Sequence, residues 1–252
     1  MALELLTIRC LNDNYAYLIH DADKNETALI DAPEAAPILA ALADRGWKLD
    51  QILLTHHHAD HTQAVAELVA ATGASVTGAR ADAHRLPPLD HQVSPGDTVR
   101  VGGSTAEIID VPGHTVGHIA FHFPDDQLAF TADSLMAMGC GRLFEGTADQ
   151  MWDSLSRLAG LPAETMICSG HDYCRGNGAF AISVDPQNPA LRERIAQTAD
   201  GLCPCAPATL AVELATNPFL RASDPAIRAN LGMENAGDAE VFAELRRRKD
   251  AF

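Results

Sequence analysis

Thr55-His56-His57-His58-Ala59-Asp60-His61 packs five side chains able to bind a transition metal into seven positions. Just before it, Gln51–Leu54 is a short apolar run of the kind a buried strand shows. Just after it, Val65, Leu68 and Val69 form a helical stripe that Gly73 ends. The cluster therefore sits where a strand turns into a helix, the mark of an α/β chain. Side chains alternate along an extended backbone, so His56 and His58 project to one side and His57 to the other. Asp60 and His61 lie in the turn and aim elsewhere. One segment thus offers two ligand pairs, which suits two ions better than one.

Two ions need further ligands, and strand ends elsewhere supply candidates. Val111-Pro112-Gly113-His114 and Gly117-His118 follow one predicted strand, Phe130-Thr131-Ala132-Asp133 closes another, and Cys168-Ser169-Gly170-His171 closes a third. A glycine beside each histidine leaves room for backbone to approach a packed site. A single Gly-His or strand-end Asp is usually structural; the combination is what points to a metal centre.

Around these motifs the pattern alternates. Strands are predicted at Leu5–Cys10, Tyr15–His20, Thr27–Asp31, Thr98–Val101, Ala106–Val111, His118–Phe123, Leu128–Thr131 and Thr165–Cys168. Helices are predicted over Glu34–Ala43 and around Trp152, Leu155 and Leu158. After His171 the strand signals stop, and Ala179–Val184, Pro189–Ala199, Pro225–Leu231 and Ala239–Lys249 read as helices. Charge divides at the same place. Residues 1–172 carry 9 basic against 24 acidic side chains, and residues 173–252 carry 9 against 10. The expected architecture is an α/β domain over residues 1–172 with a helical domain over 173–252.

The whole chain has 252 residues and a formal net charge of −16. Such acidity argues against nucleic-acid binding, which depends on Lys and Arg meeting phosphates, and against anionic membrane surfaces. The opening MALELLTIRC has no basic leader, and no apolar run is long enough to span a bilayer, so a cytoplasmic protein is expected. Six sparse cysteines (Cys10, Cys140, Cys168, Cys174, Cys203 and Cys205) suit reduced thiols in that compartment. Cys203-Pro204-Cys205 is too short for a zinc knuckle and lacks a second Cys/His pair, so it reads as a loop.

Thr55–His61, Pro112–His118, Ala132-Asp133 and Gly170-His171 together resemble the metallo-β-lactamase superfamily. More specific matches make the chain similar to its glyoxalase II, or hydroxyacylglutathione hydrolase, family. They are Asp13-Asn14-Tyr15, Gly139–Thr147, Gly170–Tyr173, Ala215–Arg221 and Arg246-x-x-Lys249-Asp250. The resemblance covers almost the whole chain and implies an αβ/βα sandwich followed by a helical glutathione-binding domain. It implies that His56, His58 and His114 hold one divalent ion, that Asp60, His61 and His171 hold a second, and that Asp133 bridges them. Zinc is the first candidate, with iron and manganese compatible with the same donors. His57 and His118 are expected beside the site rather than as ligands.

Two such ions lower the pKa of a shared water from 15.7 towards ~7, giving hydroxide without a Ser or Cys nucleophile. The implied reaction is hydrolysis of S-D-lactoylglutathione to glutathione and D-lactate, the last step of methylglyoxal detoxification. Asp60 is expected to orient the hydroxide as well as bind metal. Arg246 and Lys249, three apart on a predicted helix, are implied to bind the glycine carboxylate of glutathione. Arg142, Phe144 and Tyr173 match further substrate contacts. Phe144 departs from the family's frequent Tyr, and Cys174 from its frequent Thr. Cys140 is expected to be a packed small residue. The alternative is an iron-dependent persulfide dioxygenase with one ion held by two His and a carboxylate; the Gly139–Thr147 loop and the Arg246-x-x-Lys249 terminus favour the hydrolase. A β-lactamase, a nuclease and a metal-storage protein fit less well. The expected partner is a small-molecule glutathione thioester, bound by a monomer.

Overall fold

A computed structural model describes residues 3–199 and 205–252. The chain forms two packing units. The first comprises residues 1–110 and 117–132, and the second comprises 111–116 and 133–252.

The first unit holds two sheets. In one, β1 (Glu4–Cys10), β2 (Asn14–Asp21) and β3 (Glu26–Ile30) run antiparallel. Parallel strands β4 (Gln51–Leu53), β5 (Ser75–Ala79) and β6 (His91–Val93) then extend the sheet from β3. Every residue of β2 is buried, so the strand is covered on both faces. The first two crossovers between parallel strands are helical, the usual way to join such strands. Between β3 and β4 runs α1 (Ala35–Arg45), which buries Ala35, Ile38 and Leu42 and is ended by Gly46 in the left-handed region. Between β4 and β5 run the short α2 (Ala59–Thr62) and α3 (Val65–Thr72), the latter ended by Gly73 at φ 73°. These helices pack Ile38, Leu42, Val65 and Leu68 against Leu18, Leu29 and Ile52. Truncating one such core side chain to Ala costs about 2–5 kcal/mol.

The other sheet is an antiparallel meander of β7 (Thr98–Val101), β8 (Ser104–Asp110), β9 (Ile119–Phe123) and β10 (Leu128–Ala132). Asp21 ties it to the first: its Oδ2 accepts the Gly103 N–H at 2.7 Å. A Cβ on Gly102, which has φ +59°, would lie 2.3 Å from the same carboxylate.

The second unit opens with a tight hairpin of β11 (Leu135–Met136) and β12 (Gly139–Cys140). Helix α4 (Ala148–Ala159) follows, started by a Thr147–Gln150 capping box. Then come β13 (Met166–Ser169), α5 (Cys174–Val184) and α6 (Pro189–Ala199). A two-residue strand β14 (Ala208–Thr209) pairs antiparallel with β13. Helices α7 (Leu210–Thr216), α8 (Pro225–Leu231) and α9 (Asp238–Ala251) complete the unit. Asn217, from the Ala215–Arg221 motif, pins the hairpin: its Nδ2 donates to the carbonyls of Met136 (3.0 Å) and Gly139 (2.9 Å). Glu213 accepts from the Met138 N–H at 3.0 Å and pairs with Arg194, so this buried polar network is satisfied.

Three sequence expectations change. Strands do not stop after His171, because β14 pairs with β13. Helix α5 starts at Cys174 rather than Ala179, because Tyr173 accepts the Asn177 N–H and begins the helical ladder there. Cys174 and Cys205 are not free thiols: they are joined as a disulfide with Cα atoms 5.7 Å apart. Their spacing of 31 residues carries no sequence signal; the packing of α5 against the segment before β14 brings the sulfurs together. Cys203 and Pro204 lie outside the described residues, as do Met1 and Ala2.

Candidate metal centre

In the first unit, β4 ends at Leu53, and His58, with φ of −60° and ψ of 144°, opens α2. The expected alternation follows. His56 Nε2 and His58 Nδ1 lie 3.2 Å apart, while His57 turns to Asp82, its Nδ1 3.2 Å from Oδ2. His61 is buried on α2, its ring 4.2 Å from that of His56. Asp60, on the same short helix, has Oδ2 3.7 Å from His61 Nε2 and accepts from Asn14 Nδ2 at 3.1 Å. His118 stacks on His56 with ring centroids 4.6 Å apart, and its Nδ1 faces the Ile119 carbonyl at 3.1 Å.

Behind these rings stands Asp31, which sequence reading treated only as the end of a strand. It is buried, just past β3, at φ 58°. Its Oδ1 accepts the Thr55 N–H at 2.9 Å. Its Oδ2 accepts the Thr55 hydroxyl at 2.8 Å and faces His61 Nδ1 at 2.8 Å. A carboxylate only accepts, so His61 Nδ1 carries the proton. The Thr55 hydroxyl proton goes to Asp31, so Thr55 Oγ1, 3.0 Å from His56 Nδ1, accepts from that ring. One carboxylate thus fixes the tautomers of two histidines and leaves Nε2 of each as a lone-pair donor. The available signal was a strand-end Asp followed by Ala32-Pro33, too common to single out.

In the second unit, His114 Nε2 lies 3.4 Å and His171 Nε2 3.3 Å from the same oxygen, Asp133 Oδ2. All three residues are buried. His114 Nδ1 faces the Arg142 carbonyl at 2.9 Å, an acceptor, which puts its proton on Nδ1 and frees Nε2. The Gly139–Thr147 loop therefore sets the tautomer of a metal-ligand candidate, a role sequence reading did not give it. Close approach is what demands glycine there: a Cβ on Gly141 would sit 2.0 Å from the Asp133 carbonyl.

The predicted substrate contacts also fall in the second unit. Phe144 is exposed, its ring 5.2 Å from that of His114. Tyr173 is exposed and stacks on His171 at 4.7 Å, with the ring planes 8° apart. Lys249 Nζ donates to the Gly176 carbonyl at 3.0 Å. Burial, reinforced by repulsion from Arg246 and Arg142, holds its pKa below the ordinary lysine value. Arg142 is exposed, with Nε 3.9 Å from Asp250 Oδ1. Arg246 differs from expectation. It is buried, and its Nη1 donates to the Cys140 carbonyl at 2.9 Å and reaches the Gly141 carbonyl at 3.4 Å. Its Nη2 donates to Asp250 at 2.8 Å, and the guanidinium lies over the Phe219 ring. Its two terminal nitrogens hold the loop and Asp250, while its buried Nε makes no hydrogen bond among the described residues. Cys140 is buried as expected, its thiol pushed up to about 11, which leaves it a poor nucleophile.

These donor sets fit divalent ions. Imidazole and carboxylate are the ligands such ions take, and three of the rings are oriented by acceptors behind them, the second layer that metal histidines require.

Comparison with known proteins agrees with this geometry. Residues 12–171 match the model of the metallo-beta-lactamase superfamily, and residues 172–252 match that of the hydroxyacylglutathione hydrolase C-terminus. A hydroxyacylglutathione hydrolase from Cereibacter sphaeroides is 62% identical, covering 100% of both chains. Among solved structures, ETHE1 from Myxococcus xanthus is 26% identical with a TM-score of 0.66, covering 100% of this chain and 99% of that one. TTHA1623, solved in a di-iron-bound form, is 27% identical with a TM-score of 0.63, covering 86% of this chain and 100% of that one. With both halves matched and identity this high over the full length, the chain belongs to the hydroxyacylglutathione hydrolase family of the metallo-β-lactamase superfamily.

Proposed function

We propose that this protein hydrolyses S-(2-hydroxyacyl)glutathione, S-D-lactoylglutathione foremost, to glutathione and a 2-hydroxy acid. In the cell this would complete methylglyoxal detoxification in the cytoplasm, with the protein acting as a monomer. Among the described residues, no helix is long and apolar enough to cross a membrane. Full-length identity of 62% to a hydroxyacylglutathione hydrolase carries the reading.

His56, His58 and His114 would hold one divalent ion, Asp60, His61 and His171 a second, and Asp133 would bridge both. Zinc is the first choice, with iron and manganese the alternatives. Such ions, when bound, supply hydroxide at neutral pH and polarise the thioester carbonyl. The chain's own residues do the remaining work. Asp31 and the Arg142 carbonyl keep protons off the Nε2 atoms of His61 and His114. Asp60, its carboxylate steadied by Asn14, orients the attacking oxygen. Lys249 and Arg142 meet the glutathione carboxylate, and Tyr173 and Phe144 flank the substrate. Arg246 serves that site through the loop it holds. Residues 1–172 would supply the catalytic domain and 173–252 the glutathione-binding domain, a reading supported by family matches over residues 12–171 and 172–252.

The test is steady-state hydrolysis of S-D-lactoylglutathione, followed by loss of thioester absorbance, with metal content measured on the same sample. Turnover above ~10 s⁻¹, a typical enzyme value, with two ions per chain is the expected result. A fully metallated sample without turnover refutes the reading. Oxygen uptake with glutathione persulfide would then test the single-iron dioxygenase.

A further inference from the structure

Three described cysteines, Cys10, Cys140 and Cys168, stand outside any disulfide and are buried. Burial raises their thiols far above neutrality, Cys10 to about 12 and Cys140 to about 11, which makes them poor partners in thiol exchange. The Cys174–Cys205 pair is different, and its place is specific. Cys174 is the first residue of α5. The residue before it, Tyr173, stacks on His171 and accepts the Asn177 N–H that starts the helix. Asn177 in turn donates to the Ala137 carbonyl at 3.0 Å, and Gly176 accepts from Lys249 Nζ. The disulfide therefore fastens the one turn that carries an exposed tyrosine and receives the substrate-facing lysine.

We infer that Cys174 and Cys205 form a modification site that exchanges with glutathione, and that its state sets the position of Tyr173. Only the identity of the thiol rests on the proposed function, whose product is glutathione. The same unit holds the cations suited to that anionic thiol: Lys249, bonded to Gly176, and Arg142. Both sulfurs are buried among Ala137, Met138, Ala181 and Leu191, so exchange requires the first turn of α5 to open. The chemistry balances with glutathione alone. A glutathione thiolate attacks one sulfur of the pair, the Cys174–Cys205 bond breaks, and a protein–glutathione disulfide forms. The other cysteine leaves as a thiolate and takes up a proton. A second glutathione displaces the first, glutathione disulfide departs, and the remaining cysteine is protonated. Two glutathione thiols thus lose two electrons and two protons, and the cysteine pair gains them. Glutathione disulfide drives the reverse. With the bond intact, Tyr173 is held beside His171; with two thiols, the turn loosens and substrate binding weakens.

The experiment equilibrates the full chain, metals loaded, across a series of glutathione to glutathione-disulfide ratios. Acid and iodoacetamide quench the exchange, and mass spectrometry reads the peptides containing Cys174 and Cys205. Hydrogen exchange of the α5 amides and the kinetics of thioester hydrolysis are measured on the same samples. The ratio of dithiol to disulfide is expected to follow the squared concentration of glutathione divided by the concentration of glutathione disulfide, with a mixed disulfide at intermediate ratios. As it is lost, the first turn of α5 should exchange faster and KM should rise several-fold with little change in kcat. The C174S/C205S double variant should show the raised KM at every ratio. Alkylation of both cysteines at every ratio, glutathione disulfide alone included, overturns the inference. So does zinc protecting the reduced pair from alkylation, which would make it a metal site. Mass reads the linkage whether or not the chain turns over. A titrating pair with faster α5 exchange, on a chain that hydrolyses no glutathione thioester, keeps this site and refutes the function. Full turnover with a pair that does not titrate refutes only the site.

Discussion

Asp31→Asn removes one charge and almost no volume. Asn suits the left-handed backbone at this position, so the φ of 58° adds no strain. What changes is hydrogen-bond polarity. The carboxylate accepts on both oxygens: Thr55 N–H on Oδ1, and the Thr55 hydroxyl and His61 Nδ1–H on Oδ2. With the amide oxygen at Oδ1, the NH₂ faces His61 Nδ1, which must become an acceptor. The ring proton then moves to Nε2, the atom offered to the metal. With the amide reversed, the NH₂ meets the Thr55 N–H donor head on. Either way at least one hydrogen bond to a charged acceptor is lost, about 1.5–3 kcal/mol. At ~2–4 °C per kcal/mol for a chain of this size, Tm should fall by roughly 3–12 °C. Loss of a group that orients a metal histidine typically weakens metal affinity by about 10–100-fold. Competition against a chromophoric chelator measures that affinity, and a thermal melt of the metal-stripped protein measures stability separately. If Asp31→Asn binds both ions as tightly as the parent, the tautomer argument is wrong.

Lys249→Met should raise KM by about tenfold or more, the value of one charge-assisted hydrogen bond, and leave kcat nearly unchanged. Because burial and the neighbouring arginines lower the Lys249 pKa, its positive charge disappears at a lower pH than an ordinary lysine's. KM should therefore climb with pH below the usual lysine range, and Lys249→Arg should flatten that climb in kcat/KM profiles. Arg246→Ala should act first on stability, costing about 1–3 kcal/mol in urea unfolding, because it leaves the buried Cys140 carbonyl without its donor. An unchanged unfolding midpoint with a raised KM would return Arg246 to the role of a direct substrate ligand. The Asp21 pKa is lowered, chiefly by the Gly103 N–H, so the carboxylate stabilises the fold above the ordinary aspartate pKa and loses that contribution as pH falls through its own, lower value. The stability gap between the parent and Asp21→Asn should be full at neutral pH and close in strong acid; a gap independent of pH would refute the assignment.

The metal motifs were legible because their residue types are rare and their spacing is local. His56 and His58 share a side and His57 does not, as a two-residue period requires. Strands β1 to β3 and β7 to β10 were legible from apolar runs broken by turns, whereas β5 and β6 were not. β5 (Ser75–Ala79) mixes small and polar residues, and β6 (His91–Val93) is three residues long with its first two exposed. What local pattern could not show were long-range pairings. Asp31 acquires its role from His61, thirty positions on, and the disulfide partners are 31 apart. The motif reading of Arg246 as a substrate ligand could not show its burial against a loop 106 residues earlier.

That last separation bears on how the protein is made. Arg246 on α9 fixes the carbonyls of Cys140 and Gly141, and the next carbonyl, that of Arg142, sets the proton on His114. A ribosome that has just added Cys140 must add 106 more residues before the guanidinium exists. At ~5–20 residues per second that takes roughly 5–20 s. During this interval a nascent chain already carries His114 and the loop beside it, but not the guanidinium that bonds the Cys140 and Gly141 carbonyls. The hydrogen bonds that Arg246 gives this loop therefore form only after the last helix has been translated.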